Sequence, residues 1–561
     1  MKSSLLLLFG FIMAFSAGTV AQTTLSLRSF GAVPNDGKDD AKAFQKALNE
    51  AVGKGGAVVI RIPGGTYNIN SRVILNNFTG NITLAGDPGT KIISSSTGGF
   101  AQIQALSQEI RMTRPVTRNN STFTYQQEKG WQIAPGDLIS VSSNTPFETA
   151  WKYKENDIIR IRSASRGLMQ LEDKLLFNYT PASETVKVVV YKKCSLSVKN
   201  IDFILTPTNA AEKNKRITIL TVVGMSLNME NTNFQYTGKL RYWHLGVSVV
   251  AGEGVNFSRI QLNNFMYGVL MNYCRNVKAY DTKVEYSRHG YAPAQACYNV
   301  YIEKLRGFKC QSAIDAHPSF LVHYKDVVDT LASEFPNCRS LGTIIEDARF
   351  NVRDDFYQLY CYWSVQNLTP EYKALYGEYD TQFKNVYWVS KKPGNFNGLT
   401  SYTCRKFLVD NCTTHNIAFY GDQQIMQEVV ITNCRAAVIR IDGQKTLVKN
   451  TVMDGNLAPT AKYVFRFSGT GQTRFENVTV KNYNRDSVYL FDYFYNQQYM
   501  NQLFISNSKI GPLRGWTNKF IYPGKPYPVI SVSSSTIAPF KENMPSELNT
   551  LPAELLKAKP R

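Results

Sequence analysis

Short segments that alternate apolar and polar residues recur along this chain, with Asn and Gly between them. Six of them occupy residues 196–203, 227–234, 255–262, 277–284, 300–305 and 322–327. The last four begin at Val255, Val277, Val300 and Val322, so their starts are 22, 23 and 22 residues apart. This period predicts a parallel β solenoid, in which each coil buries its apolar face only by stacking on its neighbours.

The period continues towards the C-terminus, in segments at residues 383–389, 405–411, 429–433, 447–453, 475–480, 503–508 and 529–533. Two pairs among the nine cysteines share it, Cys274 with Cys297 and Cys412 with Cys434. This spacing favours stacked core positions over zinc ligands and leaves a disulfide open as an alternative. Asparagines at segment ends are predicted to form corners with left-handed backbone, namely Asn411, Asn433 and Asn477.

A helix is predicted over residues 41–52, where apolar residues recur at helical spacing. Asp39 or Asp40 is placed to cap its N-terminus. Two glycines then break the chain, and residues 57–67 predict a strand followed by a turn.

Residues 105–190 interrupt the repeat with segments whose alternation suggests antiparallel strands. We therefore predict a β subdomain inserted into the solenoid. The predicted organisation is a signal peptide (1–21), a cap with the first coils (22–104), the insertion (105–190), the parallel β-helix (191–544) and a C-terminal tail (545–561).

The first residues have the pattern of a secretory signal peptide: Lys2, an apolar run, and a small-residue end at Ala21. Export to the periplasm or the cell exterior is the resulting prediction. No later segment is long and apolar enough to span a membrane, so no membrane association is expected after cleavage.

The chain carries 63 Lys and Arg against 43 Asp and Glu, a net charge of +20 spread along its length. A solvated basic surface is one interpretation, and a polyanionic partner is the other, because a field of one sign concentrates the opposite charge. For an exported protein the polyanion would be an acidic polysaccharide. Nucleic acid would match the charge, but no nucleic-acid-binding motif is present.

The N-terminal pattern gives a more specific indication of the fold. Residues 30–40 read Phe-Gly-Ala-Val-Pro-Asn-Asp-Gly-Lys-Asp-Asp, and after the helix come Gly55-Gly56 and Ile62-Pro63-Gly64-Gly65-Thr66-Tyr67. This resembles the N-terminal cap of the pectate-lyase-like superfamily, which includes polygalacturonases, alginate C5-epimerases, polysaccharide lyases and phage tailspikes. The resemblance implies an all-β fold, a right-handed parallel β-helix, and leaves the reaction open.

Three of the five histidines, His289, His317 and His323, lie within 35 residues. With neighbouring coils superposed, His289 falls over Ser312, and Asp315 with His317 follows on the same rung. Residues two apart on a strand face the same way, so Asp315 and His317 should face away from the core. We expect both to cluster with His289 and Arg288.

Asp315-Ala316-His317 is similar to the D-P-H motif of alginate C5-epimerases, in which the Asp and the His are catalytic. Ala316 replaces the Pro, and the Tyr expected before the Asp is absent, so Tyr291 is the candidate substitute. The resemblance implies the catalytic set His317, His289, Asp315, Arg288 and Tyr291. The residues placed near it as substrate-binding are His323, Lys283, Glu285, Glu346 and Arg349.

Uronate chemistry gives these groups roles. Arg288 would neutralise the substrate carboxylate, and His317 or His289 would remove the C5 proton. Tyr291 or the other histidine would protonate the leaving oxygen in β-elimination, whereas reprotonation of the opposite face would give epimerisation. A polysaccharide lyase or a related epimerase is the favoured prediction, without a cofactor or a dedicated metal site.

Two alternatives remain open. A hydrolase needs two carboxylates, for which the candidates are Glu346 with Asp347 and Asp354 with Asp355. Adjacent residues on a strand face opposite sides, so Glu346 and Asp347 cannot both reach one sugar. A non-catalytic glycan-binding rod would use aromatic side chains as sugar platforms, with the candidates Trp243, Tyr357, Tyr360, Tyr362, Trp363 and Trp388.

Overall fold

The computed structural model describes residues 22–537, apart from 148–151, 182–185, 207–215, 239–243, 334–336, 353–374, 376, 391–397, 403, 421–427, 442–443, 468–470, 484–487, 494–501, 511–518 and 522–528. The proposed signal peptide and C-terminal tail therefore lie outside the described residues. The helices described are Ala41–Lys54 and the short 3-10 helices Leu27–Phe30 and Gly455–Leu457. None of the described helices is long and apolar enough to cross a bilayer.

The predicted parallel β-helix is confirmed, because 36 strands pair in parallel from coil to coil. These strands are Thr23–Ser26, Ala57–Ile62, Gly65–Ile69, Val73–Phe78, Gly80–Gly86, Thr90–Ser94, Ala101–Ala105, Cys194–Lys199, Asp202–Leu205, Thr218–Val223, Ser226–Tyr236, Leu245–Val250, Glu253–Asn263, Tyr267–Asn272, Arg275–Glu285, His289–Ala294, Tyr298–Phe308, Ser312–Ala332, Asn337–Val352, Asp380–Ser390, Gly398–Tyr402, Lys406–Asp410, Thr413–Tyr420, Glu428–Thr432, Arg435–Ile441, Lys445–Lys449, Val452–Asp454, Tyr463–Phe467, Gln472–Glu476, Thr479–Lys481, Tyr489–Tyr493, Gln502–Ser506, Lys509–Ile510, Lys519–Ile521, Val529–Ser533 and Thr536–Ile537.

The register of the coils follows the sequence period. Val255 pairs with Val277, Val277 with Val300, and Val300 with Val322. All four side chains lie in one continuous core that runs along the β-helix. The 22- and 23-residue spacing therefore marks equivalent inward positions in successive coils.

The corners between strands use left-handed asparagines, as predicted. Asn411, Asn433 and Asn477 have φ angles of 51°, 54° and 54°. Their side chains also bond from coil to coil: Asn477 Nδ2 donates to Asn450 Oδ1 at 2.9 Å, and Asn450 Nδ2 to Asn433 Oδ1 at 3.2 Å. These hydrogen bonds between asparagine side chains pair the amide groups at the corners and hold the coils in register.

The paired cysteines occupy the buried positions that their spacing indicated. Cys274 N–H donates to Cys297 Sγ at 3.4 Å, and both thiols are free and buried. Cys412 and Cys434 are likewise free and buried. Burial raises the pKa of the Cys274 thiol far above its usual range, so these groups serve as small core residues.

The predicted antiparallel insertion is confirmed as a six-stranded sheet. Its strands are Ser107–Ile110, Thr122–Thr124, Leu138–Pro146, Lys154–Ser165, Leu168–Leu171 and Lys187–Tyr191. The apolar side of this inserted sheet packs on the β-helix at Ala296, Phe320 and Leu341. A hydrogen bond also joins the inserted sheet to the β-helix, in which Arg160 Nη2 donates to Ser226 Oγ at 2.9 Å. The insertion thus lies over a corner several coils beyond the point where it leaves the β-helix.

The capping helix extends two residues beyond its predicted end, to Lys54. Asp40 occupies the N-cap position, but its carboxylate accepts from Val33 N–H and Asn68 N–H instead of from the helix. Asp39 Oδ1 accepts from Ala41 N–H at 3.1 Å and supplies the cap. Both aspartates of the cap motif therefore hold the helix on the first coil.

Candidate functional site

His289, Asp315 and His317 meet on two adjacent coils. Asp315 Oδ2 lies 3.0 Å from His317 Nε2 and 3.8 Å from His289 Nδ1. His289 pairs with Ser312, the register that the sequence predicted. One carboxylate oxygen therefore faces two imidazoles.

Strand parity explains why these side chains lie outside the core. Ile314 and Ala316 are core residues. Asp315 and His317 alternate with them along the strand and therefore face the other way. Asp315 is nevertheless fully buried, whereas His317 keeps 18% of its side-chain surface exposed. The network is therefore open to solvent through His317, and Asp315 lies beneath it.

Tyr153 joins the network from the inserted sheet, and sequence analysis missed it. Its hydroxyl lies 3.1 Å from His317 Nδ1, across 164 residues of sequence. The ring stacks on Phe147 at 6.2 Å between centroids, which fixes it to the core of the insertion. The insertion does not share the period of the coils, so the repeat could not predict that Tyr153 reaches His317. The sequence showed only where the insertion begins and ends.

The hydrogen bonds select one arrangement of protons. An ionised Asp315 can only accept, so Nε2 of His317 carries a proton and donates it to the carboxylate. Nδ1 is then the acceptor for the hydroxyl proton of Tyr153. The chain Tyr153–His317–Asp315 is thus arranged to move a proton inward from the hydroxyl.

His289 is a more enclosed group than the sequence suggested. It is 4% exposed, and the ring of Tyr267 stacks on it with centroids 5.1 Å apart. Burial lowers the pKa of His289 to about 4, against the opposing influence of Asp315. His289 is therefore neutral near neutral pH and packs against the carboxylate that holds His317.

Arg288 stands beside this cluster. Its Nη1 contacts Met266 Sδ at 3.6 Å, and its charge lowers the pKa of neighbouring His289. Its Nε is buried and has no hydrogen-bond partner among the described residues. The positive charge of Arg288 therefore lies beside the histidine cluster.

Tyr291 does not belong to the site, which corrects the sequence prediction. Its side chain is fully buried in the core of the β-helix, where its hydroxyl lies 3.2 Å from Thr282 Oγ1. It pairs with Val269 and Ile314, both core residues. Burial raises the pKa of Tyr291 above its usual range, so it is neither accessible nor acidic enough to protonate a leaving group.

His323 and Glu346 form a separate pair. His323 Nε2 lies 3.2 Å from Glu346 Oε2, and its ring makes an edge contact with Tyr301. Arg349 lies over the ring of Tyr387 at 4.9 Å. His323 and Glu346 thus form a pair of their own, and Arg349 is stacked on Tyr387.

Lys283 and Glu285 also lie apart from the histidines. Their side chains form an ion pair at 3.0 Å on the outer face of Arg275–Glu285. Both line a groove whose walls include none of His289, Asp315 or His317. Tyr286, with φ 51°, turns the chain between this face and the strand of His289.

The residues suggested for the alternative functions are placed as follows. Glu346 is engaged by His323, and Asp347 stands at a left-handed corner with φ 54°. Trp388 is buried in the core, which corrects its proposed role as a sugar platform. Asp354, Asp355 and the other five aromatic candidates lie outside the described residues. The described part of the chain holds no cluster of three His, Cys, Asp or Glu side chains suited to a metal ion.

Comparison with known proteins identifies the fold. Residues 24–157 match the profile of a family described as rhamnogalacturonase A/epimerase, pectate lyase-like. The tailspike protein of Pseudomonas phage LKA1 is similar over 92% of this chain and 83% of its own, with 12% identity and a TM-score of 0.50. The chain is a right-handed parallel β-helix, and its N-terminal part is similar to this pectate lyase-like family.

A second tailspike has the same fold as this β-helix. The tailspike of Acinetobacter baumannii bacteriophage AP22, solved with A. baumannii capsular saccharide, matches 93% of this chain and 78% of its own. Its identity is 12% and its TM-score 0.50. No curated protein sequence matches this one. At such low identity the likeness concerns the fold and leaves the chemistry to the side chains.

Proposed function

We propose that this β-helix is an exported enzyme that acts on an acidic, uronate-containing polysaccharide by removing the C5 proton. The observation that carries the proposal is the chain Tyr153–His317–Asp315, which leads from an accessible side chain to a fully buried carboxylate. A glycan partner fits the fold, which a tailspike solved with a capsular saccharide shares. The net charge of +20 favours a polyanion among glycans.

Proton removal is the step that this arrangement serves. His317 takes the C5 proton, directly or through the hydroxyl of Tyr153, whose own proton moves to Nδ1. Asp315 offsets the positive charge that forms on the imidazole. Because Asp315 is buried beneath His317 and lies 3.0 Å from its Nε2, it orients His317 without having to touch the sugar.

The substrate carboxylate must be neutralised for this proton to become acidic. Arg288 stands next to His289 with its Nε unpaired among the described residues. A guanidinium can grip a carboxylate through two parallel hydrogen bonds and so stabilise the negative charge that develops when C5 loses its proton.

Two outcomes follow from the same carbanion. In β-elimination the electron pair from C5 forms a double bond to C4, the bond from C4 to the glycosidic oxygen breaks, and that oxygen takes up a proton. In epimerisation a proton returns to the opposite face of C5 and no bond of the chain breaks. We favour this class over hydrolysis because, among the described residues, Asp315 is the one carboxylate beside the two histidines, whereas hydrolysis needs two carboxylates flanking the bond.

The test is a parallel assay on polygalacturonate and alginate in deuterated water. Ultraviolet absorbance reports the double bond of elimination, and deuterium at C5 reports epimerisation. We expect one of these signals in the wild-type protein and its loss in His317→Ala. Release of reducing ends with neither signal would establish hydrolysis and overturn the proposal.

A further inference from the structure

A groove of about 290 Å³ lies on the outer face of five successive coils, away from the histidine cluster. Its first row of side chains is Lys91, Asp202, Asn233, Gln261 and Lys283, which are register partners in adjacent strands. The residues between them along each strand, such as Phe203, Phe234 and Leu262, belong to the core. The groove is therefore built by the regular outward positions of the β-helix.

Side-chain amides dominate the inner part of this groove. Gln235, Gln261 and Asn263 line it and have no side-chain hydrogen-bond partner among the described residues. Asn233 is held in place, since its Nδ2 donates to Asp202 Oδ1 at 2.6 Å. Each free amide offers two donors and an acceptor that point at the groove.

The charges of the groove cancel. Lys91 and Lys283 are matched by Asp202 and Glu285, and Lys283 already pairs with Glu285 at 3.0 Å. This balance contrasts with the net charge of +20 on the whole chain. A polyanion would gain little here, because the charged residues that line the groove sum to zero.

We propose that this groove is a second carbohydrate site, which binds a neutral saccharide extended along the axis of the β-helix. A sugar hydroxyl both donates and accepts hydrogen bonds, as does a carboxamide. Side-chain amides along the groove are therefore complementary to the hydroxyls of a saccharide. Asn233 pairs with Gln261, and Gln235 pairs with Asn263, so two neighbouring coils about 4.8 Å apart each present two amides along the ligand. The volume of about 290 Å³ stands at the lower end of ligand sites, which suits a short stretch of sugar.

The site does not depend on the chemistry proposed for His317. It would hold a neutral part of a glycan while acidic residues are processed elsewhere, or hold the protein on a neutral polymer. Its binding should vary little with salt, since hydrogen bonds to neutral groups are not screened as ion pairs are.

The experiment is a glycan array of neutral and acidic oligosaccharides probed with the full chain, followed by titration calorimetry on the neutral glycan retained best. The groove variant is Asn233→Ala with Gln261→Ala, for which we expect binding weakened about tenfold or more by the loss of hydrogen bonds. The matched control is Asn228→Ala with Asn256→Ala. These asparagines are exposed and hydrogen-bonded to each other in the same two strands, but lie outside the groove.

The control pair and His317→Ala should bind the neutral glycan as the wild type does. Retention of the neutral glycan by His317→Ala would support the groove even if the chemistry proposed for the histidine site proves wrong. Three results would overturn the inference: retention of acidic glycans alone, equal affinity of the groove variant and the wild type, or affinity that falls steeply with salt.

Discussion

The side chain of Asp329 fills the space that Gly307 leaves inside the β-helix, where a Cβ atom on Gly307 would come within 2.4 Å of Asp329 Oδ1. Asp329 is fully buried, and its Oδ2 accepts from Ala313 N–H at 2.8 Å. Ala313 lies two residues before Asp315. A carboxyl group in the core thus holds the backbone of the strand that carries the candidate site.

This carboxyl predicts a pH-dependent term in stability. Burial raises the pKa of Asp329 to about 7 from the value of 3.8 expected when unfolded, so the folded state binds its proton more tightly. The stabilisation is fully present below pH 3.8 and is lost as the pH rises to about 7. In Asp329→Asn this pH dependence of the free energy of unfolding should disappear. In the wild type it amounts to on the order of a few kcal/mol across this pH range. Denaturant unfolding of both proteins from pH 4 to 8 measures it, and parallel curves would contradict the prediction.

Gly307→Ala should destabilise the protein, because the added methyl group meets both Asp329 and the side chain of Ala313. We expect about 1–3 kcal/mol from unfolding midpoints. In the Asp329→Ala background the same substitution should cost less, since one of the two obstacles is gone. Equal costs in both backgrounds would show that the two positions are not coupled.

His317→Ala should lower turnover by about 10²-fold or more, the scale of a lost general base. Asp315→Asn should also be impaired, because the amide cannot offset the charge on the imidazole. His415→Ala is the control: that ring is buried against Trp388 with its Nδ1 at the Leu457 carbonyl, away from the cluster. Normal rates in folded His317→Ala would remove this residue from the mechanism.

Tyr153→Phe tests the part of the site that comes from the insertion. The substitution removes one hydroxyl and keeps the stacked ring, so the melting temperature should change little. We expect kcat to fall by about 10²-fold with a smaller change in KM, since the hydroxyl transfers a proton instead of binding the sugar. A change confined to KM would assign Tyr153 to substrate binding.

Arg288→Lys should lose activity although it keeps the charge, because an ammonium group cannot make the paired hydrogen bonds of a guanidinium. The effect should appear in kcat as well as in KM for an acidic substrate, since Arg288 is proposed both to bind the carboxylate and to stabilise the charge that develops at C5. A neutral methyl-ester substrate should bind both proteins alike. If Arg288→Lys retained wild-type kinetics, the carboxylate would have to be held elsewhere.

The register of the coils could be predicted from sequence because stacking imposes it locally. Val255, Val277 and Val300 must all face inward for each coil to bury its apolar side, and the chain returns to that position after a fixed length. Corners such as Asn433 follow for the same reason, since the left-handed turn recurs with each coil. Asp315 and His317 were found by this reasoning, through parity alone.

The remaining contacts depend on placements that no period specifies. His289-Gly290-Tyr291-Ala292-Pro293-Ala294 has no apolar and polar alternation, so the inward direction of Tyr291 could not be inferred. Lys283 and Glu285 lie only a few residues before His289, but the corner at Tyr286 sends them to another face. Tyr153 required the docking of the inserted sheet, a contact across 164 residues.

The docking of the inserted sheet also restricts how the length of the molecule can evolve. The insertion leaves the β-helix between Ala105 and Cys194, yet it places Tyr153 on His317 several coils further along. The insertion therefore fixes the number of coils between Cys194 and His289. Gain or loss of one coil in that stretch would move His317 by one rung and separate it from Tyr153. The inserted sheet also reaches past Val352, because Arg118 pairs with Glu378 and Leu375 lies in the core of the insertion, so the coil that follows the candidate site is held to the same spacing.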